Sequence, residues 1–182
     1  MKARDTIGNA GVEALAPPRF GGGELYRAHA RFVSGFLAKM GAAAVDVGDL
    51  TQEVFLVAHR RGGYVEGAAR PTTWLAEIAV RVLSTHRRTK RRKPEHGGDA
   101  LEALQTETPL ADEQVASLRA LARVQTCLEG LDDQHRAVFV LFELEGEPCS
   151  AIASALGIPV GTVYSRLHHA RRKFMESWEA GR

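Results

Sequence analysis

Residues 154–174 read SALGIPVGTVYSRLHHARRKF, and the side chains in this stretch that could make contacts of consequence are Tyr164, Ser165, Arg166, His168, His169, Arg171 and Arg172. They interleave with Val163 and Leu167, which at helical spacing point the other way. Polar tips and cations on one helical face suit the major groove of duplex DNA, where tips meet base edges and cations neutralise phosphates. Ala153 leaves room for two helices to cross. Gly157, four residues on, can take the left-handed conformation of a short turn, and Ile158 then plugs the space between the helices. An ordinary helical hairpin with a solvated basic face is the alternative, and the Gly alone does not exclude it. The Ala, Gly and Val spacing combined with a cationic second helix favours DNA. His168 and His169, being adjacent, point about 100° apart on a helix and do not share one ion without further ligands, so no metal is expected.

A second cationic group is Arg81, Arg87, Arg88, Lys90, Arg91, Arg92 and Lys93, preceded by a Gly-rich loop, 62–73, that carries Tyr64. Single-stranded nucleic acid is held by such a track together with pockets or stacking platforms for unstacked bases. A solubilising helix end is the alternative, but the density of the run favours an anionic ligand. Trp74 shares helical spacing with Ile78 and Val82 and is assigned to the core rather than to stacking. A third group, Asp46, Asp49, Gln52, Glu53, Leu56 and Arg60, lies opposite the apolar stripe Leu50, Val54, Val57 and Ala58. An exposed Leu among acids suits a protein partner with cations around an apolar centre. From the residues alone, a solvated acidic face is the preferred reading of that group.

Helices must position these groups. Apolar residues at 25, 32, 33, 36, 37 and 40 predict a helix from Glu24 that stops at Gly41. Asp46 is expected to cap a second helix running to about Arg61, and Pro71 to open a third that continues into the basic run. Residues 94–113 hold six acids and no Lys or Arg, punctuated by Pro and Gly, and read as an acidic flexible linker. Beyond it, Leu118, Leu121, Val124 and Leu128 mark a fourth helix. Asp132 can cap the next, with Val138, Leu141 and Leu144 inward, and two helices at about 149–156 and 160–178 complete the chain. No segment alternates with period two between turn signals, so no sheet is expected. The fold class is all-α: a disordered tail at 1–23, a helical domain at 24–93, the linker at 94–113 and a helix-turn-helix domain at 114–182.

The 182 residues are 45% apolar and 25% charged, with a net charge of +2, enough for one domain or two small ones. There is no apolar run of membrane-spanning length and no signal-peptide core, so no membrane insertion is expected. Cys127 and Cys149 stand alone, without metal-ligand spacing, as in a reduced cytoplasmic protein. A nucleophile elbow, clustered carboxylates and a phosphate-cradling Gly loop are all lacking, so neither an enzyme nor a cofactor is expected.

The stretch LDDQHRAVFVLFELEGEPCSAIASALGIPVGTVYSRLHHARRKF resembles region 4 of the extracytoplasmic-function (ECF) sigma factors of the sigma-70 family. DLTQEVFLVAHR and RPTTWLAEIAVRVLSTHRR resemble region 2 of the same family, so about residues 24–93 and 114–178 are covered, in the family's order. The resemblance implies a dissociable specificity subunit. Such a subunit binds core RNA polymerase, recognises −35 and −10 promoter elements and promotes transcription initiation. It implies docking of Asp49, Gln52, Glu53 and Leu56 on the polymerase clamp helices, and of the second domain on the flap. It implies −10 contacts at Tyr64, Arg81, Arg87, Arg88 and Arg91, and −35 contacts along 164–172. An anti-sigma factor is an expected further partner. The chain departs from the family pattern at Arg81, Tyr164 and His169, all on proposed DNA surfaces, and at Pro148, where a Ser cap is usual.

Overall fold

The computed structural model describes residues 19–67, 69–92 and 112–181. Among them lie seven α-helices: α1 (Gly22–Lys39), α2 (Ala44–Arg60), α3 (Pro71–Arg92), α4 (Asp112–Glu129), α5 (Asp133–Phe139), α6 (Cys149–Leu156) and α7 (Val160–Ala180). Helices α1, α2 and α3 pack against one another as a first lobe. Leu25, Val33, Phe36, Leu37 and Met40 of α1 are buried with Leu50, Val54 and Ala58 of α2 and Leu75, Ile78, Ala79 and Leu83 of α3. The second lobe wraps α5, α6 and α7 around Val138, Leu141, Ile152, Val163, Leu167 and Ala170. The two cores join into one continuous cluster, with α3 packed on α6.

The structure corrects several expectations. Arg19–Phe20 (β1) pairs antiparallel with Tyr64–Val65 (β2), in the register Arg19 to Val65 and Phe20 to Tyr64. Two-residue strands are too short to display alternation, so the sequence held no sign of them. Residues 19–23, assigned to the disordered tail, therefore belong to the first lobe, and 1–18 lie outside the described residues. The acidic linker lies outside them too, except for the start of α4, two residues earlier than the predicted domain boundary.

Asp46 does not cap α2. The helix starts two residues before it, behind Ala43, and Asp46 sits in its first turn. Asp132 does cap α5, accepting from the N–H groups of Gln134 and His135 at 3.1 Å each. Leu118 and Leu121 are exposed, because the first half of α4 projects beyond the bundle, and only its last turns reach the core through Cys127 and Leu128. Leu144 is exposed as well. The stretch Val140–Leu144 adopts π-helical bonding, with Glu145 N–H donating to Val140 O at 3.0 Å. The wider turn shifts the helical phase and rotates Leu144 off the stripe that Val138 and Leu141 share.

Candidate nucleic-acid and protein interfaces

The turn between α6 and α7 has the predicted construction. Gly157 takes φ 65 and ψ 37, the left-handed conformation. Ile158 N–H returns to Ala153 O at 3.1 Å, so the end of α6 is satisfied by the chain that leaves it. Val163, Leu167 and Ala170 fix α7 inward. Pro148 caps α6 without a side-chain acceptor, and Glu147 does not substitute for one. Glu147 is buried instead against α3, where Thr72 Oγ1 donates to it at 3.3 Å and Arg70 Nε stands at 3.5 Å.

The seven residues proposed for α7 divide into three sets. Tyr164, Ser165 and His168 form an open face, Tyr164 being 60% exposed. Arg166, His169 and Arg172 form a row turned toward α5. Arg166 donates to Gln134 Oε1 at 2.7 Å, the rings of His169 and His135 lie 5.6 Å apart, and Arg172 Nη2 is 3.2 Å from His169 Nε2. Arg171 points to the other flank, where it pairs with Glu143 and lies over the Phe142 ring, so it is not a free member of the reading face. His135 was not singled out from sequence; only its position three residues after the Asp132 cap placed it beside α7. The carboxyl of Asp132 would be raised by burial, but hydrogen bonds from the backbone and ring of His135 and from Gln134 outweigh this and hold it below its ordinary value. Among the described residues no three His, Cys, Asp or Glu side chains gather in a metal-binding group.

On α2, Asp49, Gln52 and Leu56 are exposed, and Glu53 is half-buried beside Arg60 at 3.5 Å. Gln52 and Leu56 line a cavity of about 320 Å³ with Tyr26, Phe55 and His59. Tyr26, 45% exposed and edge-on to Phe55, extends the apolar centre of this face and was not singled out from sequence, because the residues beside it on the helix, Gly22, Gly23, His29 and Ala30, mark no apolar stripe. Asp49 and Glu53 border a second cavity of about 580 Å³ between α2 and α3. Asp46 is drawn out of the predicted face. Lys90 donates to it at 3.0 Å and His86 lies at 3.2 Å. The Lys90 hydrogen bond is the main reason its carboxyl sits below the ordinary value, against the opposing effect of burial.

The first-lobe cations are less uniform than the sequence implied. Arg81 pairs with Glu77 at 2.8 Å, and the same buried carboxylate accepts from Arg61 at 2.9 Å. Arg88 and Arg91 are exposed and make no ion pair with another described residue. Arg87 is not a free cation: it donates to Met40 O and Gly41 O at 2.7 and 2.9 Å and pairs with Asp133. Tyr64 is not an open stacking platform. It is buried, its hydroxyl donates to Ala69 O at 2.7 Å, and its ring lies between Phe20 and Trp74. Trp74 packs against the core, as its spacing required. Between Tyr64, Trp74, Arg61 and the Gly-rich loop remains a cavity of about 390 Å³.

Family models for sigma-70 region 2 and sigma-70 region 4 match residues 25–93 and 121–174. The chain is 35% identical over 140 residues to RNA polymerase sigma factor HrpL of Pseudomonas syringae pv. syringae, covering 75% of each chain. It is 33% identical over 134 residues to the ECF RNA polymerase sigma-E factor of Escherichia coli K12, covering 69% of this chain and 70% of that one. It is 30% identical over 159 residues to ECF RNA polymerase sigma factor SigE of Mycolicibacterium smegmatis, where it spans 60% of the longer relative. In fold it is similar to the sigma factor RpoE of Bartonella quintana, solved in complex with the anti-sigma factor NepR (TM-score 0.63, 18% identity, covering 86% and 96%). It is also similar to CnrH, solved with the cytosolic domain of CnrY (TM-score 0.61, 23% identity, covering 87% and 88%).

Proposed function

Because the chain belongs to the extracytoplasmic-function branch of the sigma-70 family, we propose that its two lobes divide promoter recognition as their exposed residues suggest. The protein is a transcription initiation factor that works with core RNA polymerase. It has no catalysis of its own and acts in the cytoplasm. The α2 face of Asp49, Gln52, Glu53 and Leu56, widened by Tyr26, docks on the polymerase clamp, with an apolar centre ringed by acids. The exposed cations Arg81, Arg88 and Arg91 follow the phosphates of the melted −10 strand. An unstacked base enters the cavity beside Tyr64, which serves as a wall and not as a stacking partner. On α7, Tyr164, Ser165 and His168 meet −35 base edges, while Arg166, His169 and Arg172 follow the backbone. An anti-sigma factor that holds the free form is part of the reading, supported by the sigma factor RpoE of similar fold, solved in complex with the anti-sigma factor NepR.

The observation that carries this reading is the open α7 face behind the left-handed Gly157, in the same chain as an acid-and-Leu α2 face that its own core leaves uncovered. Association tests it. The chain should co-purify with core polymerase, and the Asp49→Ala, Gln52→Ala, Glu53→Ala triple variant should lose most of that association while keeping its fold by circular dichroism. Undiminished association of the triple variant would remove the docking face from the account. A chain that binds −35 duplex but never core polymerase would instead be a regulator acting alone.

A further inference from the structure

Glu77 is a carboxylate in a stretch of α3 that is otherwise apolar. Leu75, Ala76, Ile78 and Ala79 around it are fully buried, and Glu77 itself is 6% exposed. A charge taken out of water costs stability unless partners compensate it, and a buried ion pair gains little over apolar groups of the same shape, so stability alone does not account for it. Each oxygen meets a guanidinium. Arg61 Nη1 donates to Oε2 at 2.9 Å, and Arg81 Nε stands 2.8 Å from Oε1. Arg81 belongs to the phosphate track of α3; Arg61 does not. Arg61 lines the cavity of about 390 Å³ beside Tyr64 and Trp74, and among the described residues of that wall it alone is charged. The Tyr64 hydroxyl is already engaged by Ala69 O. Arg61 is also held at both ends. Its N–H donates to Val57 O at 3.0 Å as α2 closes, and the chain then turns through Gly62 and Gly63, at φ +84 and +83. A Cβ at Gly63 would collide with Phe20 O, so this turn is seated against β1 while Glu77 fixes the guanidinium.

We propose that Arg61, positioned by Glu77, reads the unstacked −10 base, and that the base it selects is guanine. The inference rests on the promoter reading of this cavity and adds the identity of the base to it. A guanidinium carries five N–H donors and no acceptor, so donors remain beyond the one that Glu77 engages. Guanine presents two adjacent acceptors, O6 and N7, which match a guanidinium fork bidentately. Adenine and cytosine place an amino donor on the same edge, and thymine sets a methyl group beside its one acceptor. Glu77 is a positioning residue here: it touches no base, and it holds the fork at the wall before the base arrives, which spares the cost of ordering a long side chain on binding.

The test uses the full chain on core polymerase and run-off transcription from one mapped start site, with each −10 position changed singly to all four bases. With the wild type, one position should favour guanine about tenfold over any other base, the scale of one bidentate contact. 7-Deazaguanine at that position of the non-template strand lacks the N7 acceptor and should lose most of the advantage with the protein unaltered. Arg61→Ala should flatten the ranking at that position alone. Arg61→Lys keeps a cation against Glu77 but not the fork, and should flatten it as well. Glu77→Gln should narrow the preference while leaving the other positions as they were. Arg88→Ala should lower initiation with all four bases alike, as a phosphate contact does. Preference for another base, a guanine preference that survives Arg61→Lys or 7-deazaguanine, or a loss in Arg61→Ala that is uniform across bases would each overturn the assignment. A wild type that directs no start-site choice would defeat the promoter reading itself, whereas start-site choice with an unaltered base ranking in the Arg61 variants defeats this inference alone.

Discussion

Gly157 carries the geometry of the reading helix at a single residue. A Cβ there would meet nothing within 4 Å, so the cost of Gly157→Ala is purely the backbone strain of φ 65. That places the expected loss at roughly 1–2 kcal/mol, measured by urea denaturation. Asp132 is the second such residue: Asp132→Ala should cost about 1 kcal/mol through the lost cap and should loosen His135 beside α7. Gly157 and Asp132 were both legible in the sequence, because turn and cap chemistry is local. Tyr64 and Asp46 were not. The burial of Tyr64 depends on Phe20, more than forty residues away, and Asp46 was claimed by Lys90 of another helix. No local pattern reports a partner at that separation.

At the scale of elements, Asp46 ties the start of α2 to the end of α3. Its folded-state carboxyl lies below the ordinary 3.8, so its contribution is present above that pH and lost as pH falls through the folded value. Asp46→Asn should lower stability slightly at pH 7, by under about 1 kcal/mol since Lys90 is well exposed. The difference from wild type should disappear in acid below the folded value; a difference that persists there would show that the tie is not ionic. Helix α4 gives a contrast in one element. Leu128→Ala should cost about 2–5 kcal/mol, whereas Leu121→Ser should stay within about 0.5 kcal/mol, because the first half of α4 projects from the bundle. Periodicity placed both leucines on one stripe. It could not indicate where the helix leaves its neighbours, nor that the π-helical turn at 140–144 would rotate Leu144 outward.

At the scale of the molecule, the helical class and both lobes could be read from apolar spacing, and the family from the 49–60, 70–88 and 131–174 stretches. The contact between lobes could not. It is made by the packing of α3 on α6 within one apolar cluster and by scattered polar contacts such as Arg136 with Met40 O and Lys39 with Glu145, none of which forms a motif. The central claim remains that this chain gives core polymerase a choice of start site through the two exposed faces. Run-off transcription with core polymerase on a genomic fragment library, with 5′-end mapping, tests it most directly. The account predicts a defined set of start sites that appears with the wild type and vanishes with the Asp49, Gln52, Glu53 triple variant. Start sites identical with and without the chain would contradict it.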